Sequence, residues 1–131
     1  MLQNVTHSEI IVSKRRTYGI NLSWGEPIAE YGNVRLELQD GLGQIMQGQV
    51  IAIHVADGGY LYYQERQYGI NLEFSSAPKY EWELRPTEPV EPKEPVKQRA
   101  RVGLYNRVHR DYVVYCERKY GINLRWAKDC K

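Results

Sequence analysis

Apolar and polar positions alternate with a period of two along much of the chain. Ile20, Leu22 and Trp24 are apolar while Asn21 and Ser23 between them are polar. Ile70, Leu72 and Phe74, then Ile122, Leu124 and Trp126, repeat the same alternation. A period of two places one face of an extended strand in a core. VIAIHV (50–55), GYLYY (59–63), YEWEL (80–84) and DYVVY (111–115) add short runs rich in β-branched and aromatic residues, the composition of strands. No window carries the apolar spacing of a helix, and Gly or turn residues punctuate the chain every eight to twelve residues. The pattern predicts an all-β domain.

The pattern is also written three times. EIIVSKRRTYGINLSW (9–24), GYLYYQERQYGINLEF (59–74) and DYVVYCERKYGINLRW (111–126) align without a gap. They share Arg16, Arg66 and Arg118, then the pentapeptide YGINL, then an aromatic residue. QVIAIHVADG (49–58) matches ARVGLYNRVHR (100–110) with one residue of play, and NVRLELQ (33–39) resembles YEWELRP (80–86). Each copy therefore predicts strand, tight connection, strand, hairpin turn, strand, loop, strand. The hairpin turns fall between Lys14 and Ile20, Gln64 and Ile70, and Cys116 and Ile122. There Gly19, Gly69 and Gly121 would supply positive φ without steric cost.

Three copies of four short strands resemble the β-trefoil superfamily; a three-bladed propeller suits the repeat number less well. The resemblance covers essentially the whole chain and rests on threefold repetition and strand count, with no motif of one particular family. It implies a single all-β domain, a β-trefoil over residues 1–131, with repeats at approximately 1–46, 47–86 and 99–131 and a Pro-rich insertion at 87–98. The opening strand of the first copy is short, and nothing after Trp126 corresponds to VRLELQ or YEWEL. The last repeat thus lacks its final strand, which leaves an unpaired barrel edge. The AKDCK tail, a second chain in a homo-oligomer, or a longer polypeptide would have to cover it. In the insertion, Pro86, Pro89, Pro92 and Pro95 recur every third residue, the period of polyproline II. It reads as a stiff connector, with an SH3 or WW ligand as the alternative.

Composition changes the picture in two places. Eleven Tyr and three Trp stand against one Phe, a bias toward strands and half-wet surfaces. The net charge is only +2, yet residues 87–131 hold eleven basic and six acidic side chains. No apolar run approaches a membrane span and no leader precedes the repeats in the chain as written, so a cytoplasmic location is the default expectation. Cys116 and Cys130 are too few for a disulfide framework, and Cys116 reads as a small core or strand residue. HExxH, CxxC, GxSxG and P-loop motifs are absent, and DGLGQIMQG (40–48) lacks a following helix. Neither catalysis nor a cofactor is expected. His7 and His109 occupy equivalent repeat positions, with Asp57 at the third, so they would sit in separate lobes instead of converging on a metal. His54 reads as a strand histidine.

Within YGINL, turn chemistry explains Gly, and alternation explains Ile, Leu and the following aromatic. Arg, Tyr and Asn are not explained by burial alone. As scaffold, Asn would bond backbone across the turn, Tyr would pack its ring and tether its hydroxyl, and Arg would cover the ring. As a binding site, Tyr offers a face for sugar C–H patches while Arg and Asn bond hydroxyls. Several β-trefoil families are lectins with up to three such pockets, so the resemblance implies a glycan or glycoconjugate partner. The candidate residues are Arg16, Tyr18 and Asn21 in the first copy, Tyr63, Arg66, Tyr68 and Asn71 in the second, and Tyr115, Arg118, Tyr120 and Asn123 in the third. The second and third copies carry Tyr63 and Tyr115 where the first has Ser13, and are expected to be the stronger sites. Two alternatives remain. Lys97, Arg99, Arg101, Arg107 and Arg110 would form a patch for an anionic glycan or nucleic acid. A protein-interaction or inhibitor module would work through loops such as GEPIAEYG (25–32).

Overall fold

The computed structural model describes residues 2–26, 34–40, 43–87, 95–96 and 100–131. The elements are β1 (Ile10–Ser13), β2 (Leu22–Gly25), β3 (Val34–Leu38), β4 (Ile51–Val55), β5 (Gly59–Tyr63), β6 (Leu72–Ser75), β7 (Trp82–Pro86), β8 (Val102–Asn106), β9 (Asp111–Tyr115), β10 (Leu124–Trp126) and a final 3-10 turn, η1 (Ala127–Asp129). The described chain is all-β. β1 and β2 form one two-stranded sheet. The other strands form an eight-stranded sheet in the order β10-β9-β8-β7-β4-β5-β6, with β3 also on β4, curled as a half-barrel.

Two kinds of strand pair divide the labour. β1–β2, β5–β6 and β9–β10 are antiparallel hairpins in which Ser13 faces Leu22, Tyr63 faces Leu72 and Tyr115 faces Leu124. These are the same repeat positions three times. β3, β4, β7 and β8 make the curved wall: Leu36 faces Ile53, Ile51 faces Trp82, and Leu84 faces Leu104. Before β1, Gln3 makes an isolated bridge to Ile10. The core collects the repeated apolar positions, with Ile20, Ile70, Ile122, Leu22, Leu72 and Leu124 all buried against Ile51, Ile53, Trp82 and Trp126. The Trp82 and Trp126 rings stack with centroids 6.0 Å apart. Such aromatic burial is worth more than area alone.

Three details differ from the sequence reading. The alternating segments begin their ladders at Leu22, Leu72 and Leu124, two residues later than the apolar pattern suggests. The cause is local: each Leu N–H donates to the Ile carbonyl two residues back, at 2.7, 2.8 and 2.7 Å. That tight turn buries Ile20, Ile70 and Ile122 without placing them in a strand.

Cys116 is not a plain core or strand residue. It lies past the end of β9 and is bonded to Cys130, with the Cα atoms 6.1 Å apart. After Trp126 the chain makes η1 instead of a strand, and this returns Cys130 to the base of the third hairpin. Among the described residues, no fourth strand follows β10 in the third copy.

In the Pro-rich insertion, Pro95 bridges to Met46 and the Val96 N–H donates to the Ile45 carbonyl at 2.7 Å. Pro89 and Pro92, like most of GEPIAEYG, lie outside the described residues.

Candidate binding surface

Each hairpin loop is held by the same two side chains. Asn21, Asn71 and Asn123 accept the backbone N–H of Arg16, Arg66 and Arg118 on Oδ1, at 2.9, 2.8 and 2.9 Å. The guanidinium Nη1 of each of these arginines then reaches back to the carbonyl of Leu22, Leu72 or Leu124, at 3.5, 3.4 and 3.4 Å. Asn and Arg thus close the loop on itself; each satisfied backbone group is worth about 1 kcal/mol net. Gly19, Gly69 and Gly121 follow at φ 82°, 80° and 86°.

Those three glycines meet. An ideal Cβ on Gly19 would lie 3.5 Å from the Gly69 Cα and 3.7 Å from the Gly121 Cα. The three loops therefore close on one vertex, about which the repeats are arranged. The tyrosine before each glycine is left outside: Tyr18, Tyr68 and Tyr120 are 51, 64 and 57% exposed. The rings of Tyr18 and Tyr120 tilt together with centroids 5.0 Å apart, and the Lys119 ammonium stands 5.5 Å from the Tyr120 ring. The three rings are more exposed than a scaffold role would have them, and the arginines bond backbone carbonyls. The Asn role stands as expected.

Tyr63 and Tyr115, the last residues of β5 and β9, stand in cross-copy aromatic stacks. His7 stacks on Tyr115 at 3.8 Å with Trp24 beside it at 5.7 Å. His109 stacks on Tyr63 at 4.3 Å with Trp126 at 4.6 Å from the histidine. Each histidine thus covers a tyrosine of another copy. At the equivalent positions of the remaining pair of copies the sequence has Asp57 and Ser13, and Gly58 lies over Phe74 so closely that a Cβ would come within 2.8 Å of the ring. His54 lies edge-on to Tyr60 in β4. Among the described residues, no group of three or more His, Cys, Asp or Glu could hold a metal ion.

Three basic residues of the alternative patch, Arg101, Arg107 and Arg110, lie among the described residues. Arg107 donates from Nε to Glu83 at 2.7 Å and from Nη2 to the Gly48 carbonyl at 2.7 Å. Arg101 is exposed, Arg110 holds a positive-φ turn (φ 61°), and Lys97 and Arg99 lie outside the described residues. Glu83 is buried between Arg107 and Arg85; burial pushes its carboxyl up, but hydrogen bonds from Arg107 and Arg85 outweigh this and hold it below the usual range. Arg85 in turn lies 3.5 Å over the Tyr105 ring and donates to the Tyr112 hydroxyl at 3.1 Å.

Sequence reasoning passed over one contrast. Ser23, Glu73 and Arg125 occupy one repeat position next to the loop arginine. Ser23 accepts from Arg16 at 3.1 Å and Glu73 is ion-paired with Arg66. Arg118 instead meets Arg125, its Nε is buried without a partner among the described residues, and burial first, then Arg125, pull its pKa down. The one-letter difference after the shared Leu was the available signal.

No protein-family model, curated protein or solved structure matches this chain. The reading of the site therefore rests on its own geometry.

Proposed function

We propose that the chain is a non-catalytic β-trefoil binding protein whose partner is a glycan or glycoconjugate, held at the vertex where the three YGINL loops meet. The observation that carries this is the exposure of Tyr18, Tyr68 and Tyr120 together on loops that Asn, Arg and Gly make rigid. Exposed rings on a pre-ordered backbone cost little entropy to engage and offer faces for sugar C–H patches. Three equivalent rings also favour a multivalent ligand, since weak contacts gain from being linked.

The test is a glycan array with neutral and sulfated sugars at two salt concentrations. Salt-resistant binding of a neutral sugar that is lost in Tyr68→Ala supports the reading. Binding confined to sulfated sugars and abolished by salt favours an anion site instead. Silence on both moves the function to a protein partner. The Cys116–Cys130 disulfide supports an oxidising compartment for the mature protein, in place of the cytoplasmic default.

A further inference from the structure

One concavity among the described residues lies away from the tyrosine vertex. It is a cleft of about 1080 Å³ between the N-terminal segment and the β8–β9 side of the half-barrel. Leu2, Trp24, Val102 and Leu104 give it apolar walls, and Arg101 gives it positive charge, while Arg85 on the same wall is paired with Glu83. Among the described residues, no Asp or Glu lines it.

The cleft is bordered by two strand edges. Leu2 O and Asn4 N–H are bonded to β1, through Ile11 N–H at 3.0 Å and Glu9 O at 2.7 Å. Along a strand these groups alternate sides, so the N–H and C=O of Gln3 point the other way. Across the cleft, the Thr87 N–H donates to Arg101 O, which turns the backbone groups of Val102 away from β7. The β8–β9 ladder starts only at Leu104, so Val102 lies beyond its end. A strand laid in the cleft would meet both edges. It would join the two-stranded sheet to the eight-stranded one and remove both edges at once.

The molecule also shows what fills the corresponding place elsewhere. After its hairpin, the first copy runs into β3 with Leu36-Glu37-Leu38, and the second into β7 with Trp82-Glu83-Leu84. After β10 the described residues of the third copy make η1, and none of them forms a strand of this kind. A second copy of this chain has none to spare among its described residues, because β3 is laddered to β4 and β7 to β8 over five residue pairs each.

We infer that the cleft takes up one extended strand of a different polypeptide, with glutamate flanked by apolar residues in the manner of β3 and β7. Backbone pairing with Gln3 and Val102 gives affinity, the apolar walls take alternate side chains, and the exposed Arg101 favours the acidic residue. The cleft shares no lining residue with the triad of Tyr18, Tyr68 and Tyr120, so the interaction is independent of glycan binding.

The experiment is fluorescence anisotropy with a labelled synthetic peptide bearing VRLELQ, the sequence of residues 34–39, against the intact disulfide-bonded protein. A control peptide has Ser at both Leu positions. Saturable binding of the first peptide alone is expected. Val102→Pro removes the N–H on the cleft edge and should abolish it. Arg101→Glu, at an exposed position that leaves the fold alone, should weaken it several-fold. Equal binding of both peptides, no binding to folded wild-type protein, or unchanged binding to Arg101→Glu would each overturn the proposal. A concentration-dependent dimer in sedimentation that excludes the peptide would overturn it too, in favour of a second copy.

Discussion

The Cα of Gly19 occupies the place a side chain on Gly69 would need, 2.7 Å from an ideal Cβ. Two loops fifty residues apart in sequence touch backbone to backbone, and the third glycine closes the set. This contact turns three copies of a hairpin into one rigid vertex. Gly69→Ala should lose both the contact and the unstrained positive φ. Left-handed backbone costs an L residue roughly 1–2 kcal/mol, and the clash adds to it. Gly48 also has positive φ, at 84°, but an ideal Cβ there meets nothing within 4 Å. Urea unfolding should therefore rank Gly69→Ala well below Gly48→Ala in stability. Equal losses would mean that the vertex is not close-packed.

The loop side chains should separate into two groups. Asn71→Ala leaves the Arg66 N–H without its acceptor, and should cost on the order of 1–2 kcal/mol in the same unfolding measurement. Tyr68→Ala removes a ring that is 64% exposed and should leave the midpoint nearly unchanged while glycan binding falls. A Tyr68→Ala protein that unfolds early would show that the ring belongs to the scaffold.

This division marks how far the sequence can be read. Period-two alternation identifies Ile20, Leu22 and their counterparts as buried, because burial writes directly into residue type, even though the strands begin only at the leucines. The glycine turns are legible for the same local reason. The Asn bridge is one of two readings that the sequence allows, and the structure supplies its donor, the backbone N–H of Arg16, Arg66 or Arg118, and the distance. Convergence of the tyrosines is not legible. A repeat shows that three loops are equivalent, but whether they point apart or together is set by sheet curvature, which no single window encodes. The His7–Tyr115 and His109–Tyr63 stacks are hidden because each joins different copies. Their trace is present nonetheless: the copy boundary that lacks the histidine also lacks the tyrosine, with Asp57 and Ser13 instead. The disulfide escapes because Cys130 sits beyond the last recognisable repeat residue.

That disulfide ties the residues after β10 to the third hairpin. It closes a loop of 14 residues in sequence separation, for which constraint of the unfolded chain is worth about 3 kcal/mol. Cys130→Ser should lose stability of that order, and reductant should lower the unfolding midpoint of wild type without affecting the variant. If reductant leaves wild type unchanged, η1 is held by packing alone.

Acid should expose the Glu83 pair. Its carboxylate lies 2.5 Å from Arg85 Nε and 2.7 Å from Arg107 Nε, and its pKa is held below the ordinary value near 4.5. A group that binds its proton less readily in the folded state contributes stability that is complete above the unfolded pKa. The contribution disappears as pH falls through the folded value. Wild type should therefore lose stability progressively below about pH 4.5. Glu83→Gln keeps the shape but gives up the two charge-assisted bonds, and should be less stable at neutral pH by about 2 kcal/mol. The gap between the two proteins should narrow as pH drops, because protonation removes from wild type what the variant already lacks. Thermal unfolding of both from pH 7 to pH 3 measures this gap directly. A gap that stays constant would mean that Glu83 acts through its shape and not its charge.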